Sequence, residues 1–245
     1  MVITSRQNPL VKEIISLKEK KGRRERGLYI VEGIKQVREA LAAGAAVDKL
    51  IVSENFSGAE EFSGVETVGV SSGVFEKLSE EVTPQGVLAL LRIPDCEPSP
   101  PQGNCLLLDG VSDPGNLGAI IRTANAAGYG DIYLRNCADP FSPKSVRAAM
   151  SGIFFVRLHC GDVLPALGGI PLICADMGGE NVFEFRQPEK FCLVIGNEAN
   201  GVSGEVRALC EYTVKIPMRP TCESLNAGVS AGILMYELLA KKIIE

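Results

Sequence analysis

Apolar and polar positions follow one pattern before residue 92 and another after residue 104. In the first part, helical stretches with one apolar face alternate with short apolar runs bounded by polar turns. The spacing predicts helices over residues 9–21, 33–43 and 73–81, and strands over residues 28–31, 49–52, 67–70 and 87–91. These elements predict a small α/β domain.

The second part contains apolar runs that are uninterrupted, which is typical of parallel strands covered on both faces. Strands are predicted over residues 105–108, 132–134, 153–158, 171–174, 192–195 and 212–216, and an apolar helix over residues 224–242. Four prolines in IPDCEPSPPQG predict a linker over residues 93–103. The predicted layout is therefore a domain over residues 1–92, this linker, and an α/β domain over residues 104–245.

Polar turns follow three of the predicted strands, in LLLDGVSDPGNLGAIIRTANAAG, FCLVIGNEANGVSG and YTVKIPMRPTCESLNAGVSAGILMYELL. Ligands of parallel sheets bind beyond the carboxyl ends of the strands, so we expect the three turns to line one pocket. Gly110, Gly115 and Gly118 fit neither G-x-G-x-x-G nor a motif ending in G-K-[ST]. This spacing argues against a dinucleotide-dependent dehydrogenase.

The segments PGNLGAIIRTANAAG, IGNEANGVS and IPM…ESLN resemble the three motifs of the SpoU-type RNA ribose 2'-O-methyltransferases, in the SPOUT superfamily. The resemblance implies a parallel sheet tied in a trefoil knot, although chains generally avoid knots. It also implies transfer of a methyl group from S-adenosylmethionine (AdoMet) to a ribose 2'-hydroxyl. ITSRQNPLVK, LKEKKGRR and YIVEG resemble the L30e-like RNA-binding domain that precedes many such catalytic domains.

The resemblance implies a set of site residues. Its catalytic positions are Asn116, Arg122, Glu198, Ser224 and Asn226, and its cofactor-binding positions are Ile195, Gly196, Ile216, Met218 and Leu225. Between Met218 and Ser224 the chain reads RPTCE, where many relatives carry a glycine. From the residues alone, Asn116 and Ser224 could instead cap helices, Glu198 could be an exposed turn carboxylate, and Arg122 could be a surface charge.

Mechanisms proposed for the family assign activation of the hydroxyl to the arginine at the position of Arg122. A guanidinium with a pKa above about 12 is a poor proton acceptor. We expect Arg122 to stabilise the developing alkoxide or to bind a phosphate, while the proton leaves through water or a phosphate oxygen.

Charge is distributed unevenly along the chain, whose net charge is −5. The first 26 residues carry eight basic and three acidic side chains, which favours binding of a polyanion, with a solvated helix face as the alternative. RNA contacts are predicted for Arg6, Lys12, Lys20, Lys21, Arg23 and Arg24. Lys144, Arg147 and Ser151 either face the nucleic acid or lie on a solvated helix.

Composition limits compartment and partners. No apolar run reaches the roughly 20 residues of a membrane span, and no signal sequence is evident, so a cytoplasmic protein is expected. Eight scattered cysteines without a C-x-x-C pair, and His159 as the single histidine, predict reduced thiols and no metal site. Related enzymes pair through the last helix, so a homodimer is expected, with a buried helix in a monomer as the alternative.

The predicted activity is AdoMet-dependent 2'-O-methylation of RNA, with 23S rRNA as the substrate. A ribosomal-protein-like first domain favours this RNA. The alternatives are a tRNA ribose methyltransferase and a non-catalytic RNA-binding factor on the same fold. The sequence leaves the target nucleotide open.

Overall fold

Two β-sheets organise the chain in the computed structural model, which describes residues 2–62 and 64–243. The strands in this part of the chain are β1 (Val2–Ile3), β2 (Leu28–Glu32), β3 (Val47–Ser53), β4 (Thr67–Val70), β5 (Val87–Arg92), β6 (Cys105–Asp109), β7 (Asp131–Arg135), β8 (Arg157–Cys160), β9 (Leu172–Asn181), β10 (Cys192–Gly196) and β11 (Tyr212–Lys215). The helices are α1 (Pro9–Ser16), α2 (Lys20–Arg26), α3 (Ile34–Ala42), α4 (Ser72–Leu78), α5 (Pro114–Ala126), α6 (Pro143–Ala149), α7 (Gly204–Arg207) and α8 (Ala227–Ile243).

The first unit comprises the residues up to Asp95 together with Asp139–Phe154. Its mixed sheet has the strand order β1-β4-β3-β5-β2, with β5 antiparallel to both β2 and β3. The segment Asp139–Phe154 contains α6, so this helix packs with the first unit. The domain boundaries predicted from the sequence had assigned it to the second domain. The core of the unit includes Val11, Ile14, Leu17, Ile30, Ile51, Leu88 and Leu90.

The single helix predicted over residues 9–21 is wrong, because the structure divides it into α1 and α2. The carbonyl groups of Leu17 and Lys18 turn away from a helical path and both accept hydrogen bonds from Nη1 of Arg23, at 2.8 Å each. A Cβ atom at Gly22 would lie 2.0 Å from the carbonyl oxygen of Ser16, so the close approach of the two helices requires glycine.

The second unit comprises Cys96–Ala138 together with the residues from Phe155 onward. Its six strands are all parallel in the order β11-β9-β10-β6-β7-β8. This sheet confirms the predicted parallel α/β architecture. Strand β10 enters between β9 and β6, and the trefoil knot itself stays a prediction.

Two of the strands predicted after residue 104 need correction. The strand predicted over residues 153–158 is wrong: Met150–Phe154 form a 3-10 turn and β8 begins at Arg157. Strand β9 extends to Asn181, well beyond the predicted residue 174. Gln102, at the end of the predicted proline-rich linker, donates its backbone N–H to Asp131 at 3.0 Å, so this segment is fixed against β7.

Helix α8 packs against α5 with little space between the two backbones. A Cβ atom at Gly228 would lie 3.5 Å from Cβ of Ala119, and one at Gly232 would lie 3.7 Å from Cγ2 of Thr123. The helix begins at Ala227 and not at the predicted residue 224. None of the helices in the described residues combines the length and apolar character that a membrane span requires.

Candidate active site

The first and second polar turns lie side by side because they follow neighbouring strands. Gly196 at the end of β10 pairs with Asp109 at the end of β6, so the two turns begin at the same level of the sheet. Gly110 follows β6 with a φ of +82°, which lets the chain turn toward α5. The expected convergence of these two turns is therefore present in the structure.

Helix α5 starts with a side-chain cap that leaves Asn116 available for other contacts. Oδ1 of Asp113 accepts a hydrogen bond from the backbone N–H of Asn116 at 2.9 Å. Asp113, and not Asn116, is therefore the N-cap of this helix. The side-chain amide of Asn116 points instead toward the second and third motifs.

Glu198 of the second motif receives hydrogen bonds from the first. Its Oε1 accepts from Nδ2 of Asn116 at 3.0 Å and from the backbone N–H of Asp113 at 3.4 Å. Its Oε2 accepts from the backbone N–H and the hydroxyl of Ser112, at 3.3 and 3.2 Å. Partial burial alone would raise the pKa of Glu198, but the Asn116 and backbone hydrogen bonds outweigh it and lower the pKa below its ordinary value.

Asn226 brings the third motif into the same network. Its Nδ2 donates to Oδ1 of Asn116 at 2.8 Å. Its Oδ1 accepts from the backbone N–H groups of Gly228 and Val229, at 2.9 and 3.2 Å, and so caps α8. Asn226 therefore performs the capping that the sequence allowed for Ser224.

Each amide in the series Glu198–Asn116–Asn226, which we call the amide relay, has one permitted orientation. An ionised carboxylate only accepts, so Asn116 must turn its NH₂ group toward Glu198 and its oxygen toward Asn226. Asn226 must then donate through its NH₂ group, which leaves its oxygen for the first N–H groups of α8. The direction of donation is thus determined at both ends, by a charge and by a helix terminus.

Asn197 fastens the turn that carries Glu198. Its Nδ2 donates to the carbonyl oxygen of Gly110 at 2.8 Å, and its Oδ1 accepts the N–H groups of Ala199 and Asn200. The backbone of Asn197 exchanges two hydrogen bonds of 2.9 Å with Gly201. Sequence reasoning did not select Asn197, although it stands beside Glu198 at a strand end, which is the signal that would have found it.

A buried ion pair lies beneath the same turn. Asp109 is 3% exposed, and its carboxylate accepts from Nη1 of Arg135 at 2.9 Å and from the backbone N–H of Ser203 at 2.7 Å. Burial would raise the pKa of Asp109, but the hydrogen bonds from Ser203 and Arg135 lower it. Asp109 is the last residue of β6 and Arg135 is the last residue of β7. No sequence motif predicted that they form an ion pair.

A cavity of about 290 Å³ lies beside the amide relay in the second unit. All five predicted cofactor positions line it, as do Glu198 and Ser224. The apolar side chains of Ile195, Ile216 and Leu234 can enclose a flat base, while polar groups line the remaining wall. This mixture fits a nucleoside-containing donor such as AdoMet.

Arg122 is separate from these groups. It is exposed on α5, does not line the cavity, and forms no hydrogen bond or ion pair with any residue that the structure describes. The structure therefore joins Asn116, Glu198 and Asn226 directly and places Ser224 on the cavity wall. It does not bring Arg122 to them within one chain.

The predicted RNA contacts in the first unit divide into two groups. Arg6, Lys12, Lys20, Lys21 and Arg24 are exposed. Arg23 is 3% exposed, and its guanidinium donates to Asp139 as well as to two carbonyl groups of the chain. The prediction that Arg23 contacts RNA is therefore corrected, because all its donors are directed inward.

The second predicted basic stretch lies on and after α6. Nη1 of Arg147 donates to the carbonyl oxygen of Glu80 at 3.1 Å and lies 3.6 Å from the Glu81 carboxylate. Ser151 is in the 3-10 turn that follows.

Across residues 2–62 and 64–243, no three His, Cys, Asp or Glu side chains converge as a metal ion would require.

A family profile described as the SpoU rRNA Methylase family matches residues 103–236, which contain all three motifs and the amide relay. The chain belongs to this family. Residues 8–89 match a second profile, described as an MRM3-like substrate binding domain. SpoU membership confirms the predicted resemblance and makes the chain an RNA methyltransferase by family.

SpoU relatives resemble the chain over nearly its whole length. A 23S rRNA (guanosine(2553)-2'-O)-methyltransferase of Bacillus subtilis is 32% identical and aligns with 96% of this chain and 98% of its own. A 23S rRNA (uridine(2479)-2'-O)-methyltransferase of Streptomyces viridochromogenes is 30% identical, with 98% of this chain and 92% of its own aligned. The AdoMet-bound rRNA methyltransferase of Sinorhizobium meliloti is 27% identical, with a TM-score of 0.89 over 99% of this chain and 98% of its own.

These relatives confirm the two-part fold expected of a SpoU methyltransferase. The similarity covers both the mixed sheet and the parallel sheet, because the aligned structure spans both units. The roles of individual residues stay predictions, which the geometry of the relay and the cavity supports.

Proposed function

We propose that this protein transfers the methyl group of AdoMet to a ribose 2'-hydroxyl of 23S rRNA. The observation that carries the proposal is the amide relay, which joins all three SpoU motifs at the edge of a cavity suited to a nucleoside donor. Two relatives with this activity on 23S rRNA align over nearly the full chain, which favours rRNA over tRNA.

AdoMet is the methyl donor, and the residues of the cavity wall would hold it. Backbone groups at Ile195, Gly196, Ile216, Met218 and Leu225 are the proposed contacts of its adenine and methionine parts. The sulfonium of AdoMet supplies a methyl group that is already activated. The contribution of the chain is therefore alignment of the hydroxyl and handling of one proton.

The relay is suited to aligning the hydroxyl because both its hydrogen-bond geometry and its charge state are fixed. Glu198 is held as an anion, so Asn116 and Asn226 keep their donors and acceptors in fixed directions at the cavity edge. The hydroxyl of Ser224, on the cavity wall, adds a group that both donates and accepts. A preorganised set of this kind lowers the cost of orienting an incoming ribose.

We propose that Arg122 of a second copy of the chain completes the site. It is exposed on α5, and the helix packed against α5 exposes Val229 and Tyr236, at 52% and 49%. Large apolar side chains on an exposed helix pair suit an interface between copies. A homodimer through this surface would let Arg122 of one subunit stabilise charge at the site of the other.

The first unit is proposed to bind the RNA. Lys20, Lys21 and Arg24 project from α2, and Lys12 projects from α1, so their charges can neutralise phosphates. An rRNA substrate implies that the enzyme acts where ribosomes are assembled, which we propose is the cytoplasm.

Transfer of a tritiated methyl group from AdoMet to purified RNA tests the proposal. We expect label in naked or partly assembled 23S rRNA and protection of one ribose from alkaline cleavage at the labelled position. The Glu198→Ala variant should lose the label while keeping its fold. Label in tRNA alone would favour the tRNA alternative, and AdoMet binding without transfer to any RNA would favour a non-catalytic factor.

A further inference from the structure

Strand β9 leaves the parallel sheet for five residues beside the donor cavity. Cys174 pairs with Thr213 of β11, and the next β11 residue, Val214, pairs with Glu180. Residues 175–179, with the sequence ADMGG, therefore form a large bulge. Bulges next to active sites redirect side chains, and Ala175, Asp176 and Met177 of this bulge line the cavity.

The bulge is built in a defined shape. A Cβ atom at Gly179 would lie 2.5 Å from the backbone nitrogen of Val214, so only glycine fits there. Oδ1 of Asp176 accepts the backbone N–H of Gly178 at 2.9 Å, and Oδ2 accepts from Nη2 of Arg207. These contacts fix the position of the Asp176 carboxylate on the cavity wall.

Asp176 retains acceptor capacity that the other cavity carboxylate has lost. A carboxylate has about four acceptor sites, and two of those on Asp176 are used by Gly178 and Arg207. Glu198 already accepts five hydrogen bonds, from Ser112, Asp113, Asn116 and Asn197. A ligand with paired hydroxyl donors would therefore find its acceptor at Asp176.

We propose that Asp176 determines specificity for the donor by accepting hydrogen bonds from its ribose hydroxyls. The assignment rests on the proposed function, because it takes AdoMet as the occupant of the cavity. In dinucleotide-binding folds, a carboxylate at the end of the strand next to the glycine turn holds ribose hydroxyls. Asp176 follows the part of β9 that pairs with β10, the strand that ends in Gly196. The apolar wall accounts for the base, and Asp176 accounts for the sugar.

The charge of Asp176 supports this role. The hydrogen bond from Arg207, with that from the Gly178 N–H, lowers the pKa of Asp176 below its ordinary value. The side chain is therefore an anion that only accepts at neutral pH, and a vicinal diol offers two donors.

Calorimetric binding of S-adenosylhomocysteine and of its 2'-deoxy and 3'-deoxy analogues tests the proposal without catalysis. We expect Asp176→Asn to weaken binding of the parent compound about tenfold, which corresponds to about 1.4 kcal/mol. The variant should weaken binding of each deoxy analogue clearly less than it weakens binding of the parent compound, because each analogue has already lost one of the two hydroxyls that donate to Asp176. Asp162→Asn, an exposed carboxylate change in the same unit, is the matched control and should leave all affinities unchanged.

Other outcomes overturn the assignment. An equal loss for parent and deoxy ligands, reproduced by Arg207→Gln, would show that the ion pair only shapes the bulge. A loss for AdoMet but not for S-adenosylhomocysteine would assign Asp176 to the sulfonium charge, and unchanged binding would remove it from the site. If the wild type binds neither AdoMet nor S-adenosylhomocysteine, the proposed function itself fails, which separates the two failures.

Discussion

The side-chain amide of Asn226 donates to Oδ1 of Asn116 at 2.8 Å, across 110 positions of the sequence. This contact connects the start of α8 with the start of α5, and Asn116 passes the connection on to Glu198. The three motifs of the family are thus one hydrogen-bonded unit.

Asn226→Asp should separate the capping role of this residue from its role in the relay. Aspartate is as good an N-cap as asparagine, so we expect the thermal unfolding midpoint to stay within about 2 °C of the wild type. Methyl transfer should fall at least about tenfold, because an acceptor would then face the Asn116 oxygen. Asn226→Ala should lose both thermal stability and methyl transfer. Equal activity of the wild type and Asn226→Asp would contradict a role of the relay in catalysis.

Asn116→Ala should raise the pKa of Glu198, because it removes the largest hydrogen-bonding cause of the lowered value. A carboxylate with a lowered folded-state pKa stabilises the fold above its unfolded pKa, and this contribution is lost as the pH falls through the folded value. The stability difference between wild type and Asn116→Ala should therefore be largest near neutral pH and shrink below about pH 4.3.

Urea unfolding of both proteins at several pH values measures this difference. Glu198→Gln is the control, since adding Asn116→Ala to it should give a difference with little pH dependence. A constant difference between wild type and Asn116→Ala across the acid range would show that the two side chains are not coupled.

Gly196→Ala should abolish donor binding. The added Cβ atom would lie 2.2 Å from the backbone carbon of Gly201 and 2.3 Å from the nitrogen of Val202, so the turn that carries Glu198 has to open. A loss of stability of about 1–3 kcal/mol is expected for an overpacked site of this kind. Gly204→Ala meets nothing within 4 Å and should behave as the wild type in calorimetry with AdoMet. Full AdoMet affinity in Gly196→Ala would argue against the close turn.

Arg23 and Arg24 are adjacent in sequence and should give opposite results. Arg23→Ala leaves Asp139 without its buried partner, so the free energy of unfolding should fall by about 3–5 kcal/mol. Arg24→Ala should leave stability unchanged, weaken RNA binding, and reduce the slope of log affinity against log salt by about 1. Urea unfolding and filter binding at several salt concentrations make the comparison, and equal RNA defects in two stable variants would refute it.

Arg122→Ala and Glu198→Ala should complement each other if each site takes its arginine from the partner copy. Mixed subunits would then form heterodimers with one intact site, and random mixing should restore about a quarter of the wild-type activity. A protein whose sites use Arg122 of the same chain would stay inactive when mixed. Sedimentation of Val229→Glu, expected to be monomeric, tests the interface itself.

Local pattern was enough to predict much of this fold. Uninterrupted apolar runs predicted the parallel strands β6 and β10 to within about two residues, because both faces of these strands are buried. Polar turns at strand ends predicted where Glu198 and Asn116 would meet, since neighbouring parallel strands end at the same edge. The motifs also identified the family, which the profile match confirmed.

Tertiary contacts decided the remaining features. Arg23 and Arg24 are adjacent basic residues in the sequence, and the tertiary structure buries only Arg23, against Asp139 and two backbone carbonyl groups. The bulge over residues 175–179 and the partner of Asp109 both depend on residues distant along the chain. Hydrophobic periodicity and composition indicate which face of a segment is exposed to solvent. An ion pair or a bulge is determined by a second segment that packs against the first.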